Sequence, residues 1–504
     1  MTEPAVKTDV ETFASVAENA PSNARVPVEV RVVVSDTFDA YRNARDGAGG
    51  FYLETSGGQD GWGYFGIEPI ERVRIDTEDV FREDSDSSPS LAAIDELLER
   101  EQLVRGHCNV PYPCGAFGWL SYDVARELED LPTTTRNERR LPHLQLGVFD
   151  CVAAWRQPCD GEVTLHVTAC PVVKDDPRAA YERGREKAVA LAEDATTGSS
   201  DISMPTSAAK SASFESSCGP QGFADRVRTV KEHVRNGDTF QANVSHRLTA
   251  PANVHPVEAF SALRAVNPAP YSGLLEYPGV DLVSASPELL LEVRDDRVAT
   301  EPIAGTRPRG ETQEKDESLE TELRADEKER AEHAMMVDLE RNDLGKVCEY
   351  GTIDVTEYRR IDRYSEVMHL VSLIEGKRRA ETSIADAIGA VFPGGTITGA
   401  PKPRTMEIID EVEHTCRGPY TGSIAVLGFD DRATLNIIIR TLVRHEDEYH
   451  LRVGAGIVHD SDPGSEYYET LDKAAALITA IDTALDESGS FDVETPTGTL
   501  EDVK

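Results

Sequence analysis

Beyond residue 215 the apolar residues gather into strand-length runs that come two at a time, with helix-length runs between the pairs. The strand runs are 239–249, 271–278, 281–303, 421–430, 433–445 and 448–458; the helix runs are 221–236, 256–266, 317–345, 383–391, 402–414 and 465–486. Strands that follow one another directly can be joined by hairpins, whereas parallel strands need a crossover between each pair. This order therefore predicts antiparallel sheet with helices packed on it. Ahead of that region, Val-rich 26–34 predicts a strand, and 49–69 predicts two short strands around a Gly-rich turn. Residues 112–132 begin as a buried strand and become helix near Asp123, and 144–170 resembles a β-hairpin turning at Cys159-Asp160-Gly161.

Residues 1–24 read as a loosely ordered leader and 487–504 as a frayed acidic tail. The stretch 195–214 is rich in Ser, Thr and Ala without apolar periodicity, so a flexible linker is expected there. No internal repeat is evident.

With 91 acidic against 52 basic residues, the formal charge is −39. That excludes nucleic acid as a partner, because phosphate contacts need clustered Lys and Arg, and it disfavours anionic membrane surfaces equally. The acid is spread along the chain, which suits a soluble surface in cytoplasm of high salt. No run approaches the ~20 apolar residues of a membrane span, so a cytoplasmic protein is expected. The eight cysteines (108, 114, 151, 159, 170, 218, 348 and 416) form no Cys-x-x-Cys pair and lack a His at zinc-ligand spacing. Free core thiols are expected.

Two helix runs each carry a Glu-x-x-Glu pair, Glu329/Glu332 and Glu466/Glu469. The spacing sets both carboxylates of a pair on one helix face. Two such faces meeting would offer oxygen ligands to a hard cation such as Mg²⁺. Spacing alone decides nothing in so acidic a chain, where chance gives roughly 16 such pairs, most on solvated faces. Context is more informative. Gly454-Ala455-Gly456 precedes the second pair and allows backbone N–H groups to approach an anion, although a tight turn accounts for it equally, and Ser465 is a candidate N-cap.

Eight segments in order then resemble the chorismate-utilising enzymes. They are SASPELLL (284–291), PIAGTRPRG (302–310), ERAEHAMMVDLERNDLGKV (329–347), DRYSEVMHLVS (362–372), FPGGTITGAPKPRTMEIIDE (392–411), GPYTGSI (418–424), LNIIIRT (435–441) and VGAGIVHDSDPGSEYYETLDKA (453–474). The resemblance is dense over about 220–485 and thin over the first 200 residues. It implies an α/β (α+β) fold with two stacked antiparallel sheets in a sandwich and helices outside. Within it, 25–194 would be an N-terminal subdomain and 215–486 the chorismate-binding catalytic region, with 195–214 an excursion inside one large domain.

The resemblance also implies roles. Glu332 and Glu469 match direct Mg²⁺ ligands, with Glu329 and Glu466 supporting, and the metal would hold the ring carboxylate of chorismate together with Lys473. Tyr420 and Arg440 match residues that grip the enolpyruvyl carboxylate, for which a guanidinium fork is suited. Gly305, Thr306, Gly454, Ala455 and Gly456 would line the pocket. Glu288 matches the general acid that protonates the departing C4 hydroxyl, a role that needs a raised pKa. His369 and Thr396 match positions near the ring, although a single His in an apolar run fits a hydrogen-bonded core residue equally well.

Two positions bear on the nucleophile. Where the water-using branches carry a Lys base this chain has Gln241, so an amine nucleophile is implied. No glutaminase motif is visible, and ammonia from a separate glutamine amidotransferase subunit is expected. Ala304 stands where aminodeoxychorismate synthases usually carry a nucleophilic Lys, which points to the anthranilate branch. Against it, FPGGTITGAPK, GPYTGSI, GWLSYD and NPAPYS resemble the aminodeoxychorismate branch. The family's tryptophan feedback motifs are poorly matched by Tyr52-Leu53-Glu54-Thr55 and Pro270-Tyr271-Ser272. Weighing these, the expectation is an aminodeoxychorismate synthase component I with direct ammonia attack; anthranilate synthase component I is the alternative, and a non-catalytic chorismate-binding regulator a remote one.

Overall fold

The computed structural model describes residues 3–45, 49–77, 88–132, 134–159, 161–174, 176–198, 213–364, 367–485, 493–495 and 498–500. Two sheets carry the fold. The larger runs, in spatial order, Ala5–Val6, Val28–Val34, Val163–Ala169, Cys151–Gln157, Gly61–Ile67, Gly50–Glu54, Tyr271–Tyr277, Val280–Ser286, Thr441–His445, Glu448–Ile457, Gln241–Pro251 and Phe214–Ser216. The smaller runs Ile303–Pro308, Val367–Lys377, Arg297–Thr300, Leu289–Arg294, Arg432–Asn436, Ser423–Leu427, Gly115–Leu120, Leu144–Phe149 and Glu71–Ile75, with Asp354–Arg363 also paired to Val367–Lys377. Neighbours among these strands are antiparallel, as the paired strand runs require. Both sheets draw strands from either side of 195–214: Gly50–Glu54 pairs with Tyr271–Tyr277, and Gly115–Leu120 with Ser423–Leu427.

The sheets stack face to face. Phe51, Leu275 and Leu282 of the larger meet Phe117, Trp119 and Ile424 of the smaller in one apolar cluster, with Phe51 and Phe117 stacked at 4.0 Å between ring centroids. Helices cover the outer faces. Those at Pro177–Thr197, Gly219–Asn236, Pro256–Val266 and Ser465–Ala484 pack on the larger sheet, and Pro89–Arg100, Glu327–Gly345 and Ile384–Val391 on the smaller. None of the described helices is long and apolar enough to cross a membrane.

Several expectations need correction. Of residues 1–24, those from 3 on are held in place: Val10–Glu18 is a helix capped by Asp9, with Phe13 buried against Tyr181. Of the 195–214 linker, 195–197 complete a helix and Phe214 opens a strand; 199–212 lie outside the described residues. In the acidic tail, Val493–Thr495 runs parallel beside Phe214–Ser216 and pairs with Gly498–Leu500. Segment 144–170 is three strands, because the chain changes sheet at Asp150 before the hairpin, and Asp160 of its turn lies outside the described residues. The run 317–345 is two helices, broken where Asp326 adopts an extended backbone and caps the second through Lys328 and Glu329 N–H. Strands Asp354–Arg363 and Val367–Lys377 went unanticipated. None of the eight cysteines forms a disulfide, and Cys159 is exposed rather than a core thiol.

Two crossings between the sheets bring distant polar residues together. The chain leaves the larger sheet after Ser286 and enters the smaller at Leu289; it returns between Asn436 and Thr441. The crossings run side by side, with Ile437 N–H donating to the Glu288 carbonyl at 3.0 Å and Ala285 N–H to that of Arg440 at 3.1 Å. Arg440 makes its turn in the left-handed region, at φ 50°.

One buried ion pair ties the neighbouring loops to this point. Arg417 donates to both Glu413 oxygens (3.0 and 2.7 Å), to the carbonyls of Ile397 (3.0 Å) and Asn243 (2.7 Å), and to Thr421 Oγ1 (3.1 Å). Burial alone would push the Glu413 carboxyl up, but Arg417 and Arg452 outweigh it and hold the group at about 2. Removing one partner strands the other charge. Arg417→Ala should therefore destabilise the fold by about 3–5 kcal/mol, read as a lower urea midpoint; a midpoint within experimental error of wild type would contradict this.

Candidate active site

Glu288 lies at the first crossing, 5% exposed. Thr396 Oγ1 donates to its Oε1 at 2.7 Å, and Ile303 N–H also reaches it. Burial, joined by the like charge of buried Glu340, outweighs these bonds and the pull of Arg440, and pushes the Glu288 carboxyl up to about 8. Such a group holds its proton at neutral pH.

Arg440 lies at the second crossing. Among the described residues no carboxylate comes within ion-pair distance of its guanidinium, and burial lowers its pKa, with Tyr364 and Glu288 acting in opposition. A half-buried, unpaired guanidinium suits an incoming carboxylate.

His369 stands on Val367–Lys377 opposite a bulge in Ile303–Pro308 that falls between Ala304 and Thr306. Gly305 makes the bulge at φ 80°, which favours glycine, and a Cβ there would crowd Glu329 Oε2 at 3.1 Å. Thr306 Oγ1 (3.0 Å) and the Gly305 carbonyl (3.4 Å) flank His369 Nδ1. Burial, helped by Arg440, pushes the imidazole down to about 4, so it is neutral. Its Nε2 is buried without a partner among the described residues, which separates it from a satisfied core histidine.

Gly454-Ala455-Gly456 is neither turn nor anion-binding loop. It lies inside strand Glu448–Ile457, in register with Ser245, Val244 and Asn243. Strand alternation sends Ala455 into the helix-side core and turns the two glycines to the opposite face. There the absent side chains make room: a Cβ on Gly454 would lie 2.8 Å from Tyr420 Oη, and one on Gly456 2.7 Å from Gln241 Nε2. Gln241 Oε1 and Asn243 Oδ1 are buried there with no hydrogen-bond donor among the described residues.

Both glutamate pairs stand on helices as the spacing predicts, in Glu327–Gly345 and Ser465–Ala484. The second helix begins differently from expectation, with Asp462 rather than Ser465 accepting from the free N–H groups of Gly464 and Ser465. Lys473 Nζ bridges Glu469 (2.9 Å) and the Gly454 carbonyl (3.0 Å). Burial raises both Glu332 and Glu466; Lys328, 3.6 Å from Glu332, opposes it there, and Ser461 and Lys473 oppose it at Glu466. The oxygen donors and this crowding of half-buried negative charge fit a divalent hard cation. Even so, no three His, Cys, Asp or Glu side chains among the described residues converge on one point.

The structure thus brings Glu288, Thr396, Arg440, His369, Gly305 and Thr306 together, and joins Tyr420, Gln241, Lys473 and the strand glycines in a second group. The poorly matched feedback segments meet elsewhere: Glu54, Thr55, Pro270 and Tyr271 line a cavity of about 240 Å³ between the sheets, faced by Glu292 and Asn436. Sequence reasoning passed over Asn243, Arg417 and Glu340. Glu340 was detectable, since it is an acid on the helix stripe of His333, Met336, Val337 and Leu344 that faces the core.

Glu288 has a consequence for stability. A carboxyl raised in the folded state contributes stability that is fully present below its unfolded pKa and is lost as pH rises through its folded value. Wild type should lose stability from about pH 5 to 8, and Glu288→Gln should remove about 1–3 kcal/mol of that loss. Urea midpoints for both proteins at pH 5 and pH 8 check this; identical pH dependence would contradict it.

The family described as chorismate binding enzyme matches residues 49–479. The Haloarcula marismortui protein named anthranilate synthase component 1 3 is 67% identical over 505 residues, covering 100% of both chains. The Bacillus subtilis aminodeoxychorismate synthase component 1 is 41% identical over 84% of this chain and 88% of its own. Among solved structures, anthranilate synthase component I from Streptococcus pneumoniae TIGR4 aligns with a TM-score of 0.70 and 29% identity, over 86% of this chain and 93% of that one. This chain belongs to the chorismate-binding enzyme family.

Proposed function

We propose that the chain is the synthase component of an anthranilate synthase, converting chorismate and ammonia to anthranilate, pyruvate and water in the cytoplasm. Ammonia would come from a separate glutaminase component, consistent with the component 1 naming of its relatives. The observation that carries this reading is Ala304, which places a methyl group and no nucleophile immediately before the Gly305 bulge. The 67% identity to a protein of that name supports it. The loop resemblances that favour the 4-amino product are outweighed, and that branch remains the second reading because of its 41% identical relative.

Each residue then has a task. Arg440, unpaired and half-buried, takes the enolpyruvyl carboxylate with Tyr420. Glu332 and Glu469 would hold Mg²⁺ with Glu329 and Glu466 in support; when bound, the ion supplies positive charge for the ring carboxylate. Lys473 is placed to share that carboxylate. Glu288 donates its proton to the C4 hydroxyl, which departs as water. Ammonia enters at C2 in the space that Ala304 leaves, and Gln241, which has no basic lone pair at neutral pH, does not activate water in its stead. Loss of the enolpyruvyl group as pyruvate then gives the aromatic ring.

Incubation with chorismate, Mg²⁺ and an ammonium salt should yield anthranilate, identified by mass and fluorescence, together with pyruvate. Formation of 4-amino-4-deoxychorismate without pyruvate would overturn the assignment. Glu288→Gln should lower kcat by about 10²–10⁴-fold; unchanged turnover would remove Glu288 from the acid role.

A further inference from the structure

We infer that Glu340 is a positioning residue for the acid: its carboxylate, buried against the Gly394-Gly395-Thr396 loop, keeps the proton on Glu288. The inference deepens the proposed function and rests on the acid role given there to Glu288.

The loop stands between two carboxyl groups. Thr396 Oγ1 donates to Glu288 Oε1 at 2.7 Å, while the adjacent Gly395 N–H donates to Glu340 Oε1 at 3.3 Å. A Cβ on Gly395 would lie 3.2 Å from that same Glu340 oxygen, so the carboxyl rests directly on the loop backbone. Glu340 is 3% exposed, and its only other described hydrogen bond is a long one from Thr300 Oγ1, 3.4 Å. A leucine or methionine would fill such a core position at less cost than a carboxylate with two weak donors.

The surrounding charges make Glu340 act on Glu288. From Lys402–Glu413, Lys402 faces Glu340, but its ammonium is committed to Asp343 Oδ2 at 2.5 Å and to the Val391 carbonyl at 2.9 Å. Asp343, on the same helix as Glu340, adds negative charge and also binds Lys346 at 2.8 Å. From the sheets come Thr300 and Glu288 itself. Glu288 in turn faces Thr396, Ile303 N–H and Arg440 besides Glu340. Two buried carboxyls held by adjacent residues of one loop cannot both ionise without penalty, so they titrate as a pair and one proton stays between them. Burial pushes both carboxyls up, and Lys402 favours negative charge on Glu340, so the shared proton is assigned to Glu288. The group is thereby loaded at a pH where an ordinary glutamate would be ionised.

The test is the pH dependence of kcat for Glu340→Gln, measured from pH 6 to 9 at constant free ammonia with saturating chorismate and Mg²⁺. Removing the like charge should move the alkaline limb down by roughly one pH unit. Activity at pH 8 would then fall by about fivefold, approaching tenfold at pH 9, while activity at pH 6 and the KM for chorismate hold. Glu340→Leu, which removes the charge but keeps the bulk, should shift the limb the same way if the glutamine variant fails to fold; Glu340→Asp, which keeps the charge, should restore it towards wild type. An unmoved limb in either folded neutral variant would overturn the inference and leave the acid assignment standing. Unchanged turnover in Glu288→Gln would instead overturn the assignment on which it rests.

Discussion

Two hydrogen bonds between the sheet crossings organise the candidate site. Glu288 and Arg440 are 152 positions apart in sequence, yet each occupies the place where its strand leaves one sheet for the other, and the two crossings are bonded together there, Ile437 N–H to Glu288 O and Ala285 N–H to Arg440 O. A residue inside a paired strand must point into one of the two sheet faces, and here those faces are packed with apolar side chains. A residue at a crossing is released from that alternation. The fold thus admits an acid and a cation to its interior without opening either sheet. The 418–422 loop is drawn to the same place, because Thr421 N–H donates to Ile438 O at 2.7 Å and Ile438 N–H to Gly422 O at 2.8 Å. Tyr420 arrives with it.

The interior charges fall into two kinds. Glu413 and Arg417 saturate one another with strong, short hydrogen bonds and anchor four segments, so neither is available to a ligand. Glu288, Arg440 and His369 are left partly unsatisfied: one keeps its proton, one lacks a counter-ion, one has a free ring nitrogen. Unsatisfied buried groups cost stability, and their concentration at one point is the physical argument for chemistry there. On the surface, by contrast, exposed ion pairs such as Arg178–Glu11 say little about function.

Much of this was legible in the residues. Alternating runs such as 448–458 and paired strands predict the antiparallel sheets, and i,i+3 spacing correctly sets Glu329 with Glu332 and Glu466 with Glu469. What misled was local. Gly454-Ala455-Gly456 suggests a turn because glycine permits one, whereas its strand position follows from partners more than 200 residues away. Polar Asp354–Arg363 hid an edge strand, since a strand with one solvated face need not look apolar. Residues 1–24 resemble a loose leader because a nine-residue helix holds only through the tertiary burial of Phe13 and Ala17. The branch question turned on Ala304 against several loops, and the relatives favour the side of Ala304.

The central claim is that a buried carboxyl at the crossing is protonated when the enzyme works. Infrared difference spectroscopy on protein labelled with ¹³C-carboxyl glutamate measures it directly, comparing wild type with Glu288→Gln at pH 7. The account predicts a protonated-carboxyl C=O band in wild type that is missing from the variant and that fades as pH rises through about 8. A Glu288 signal found only as ionised carboxylate at pH 7 would contradict it.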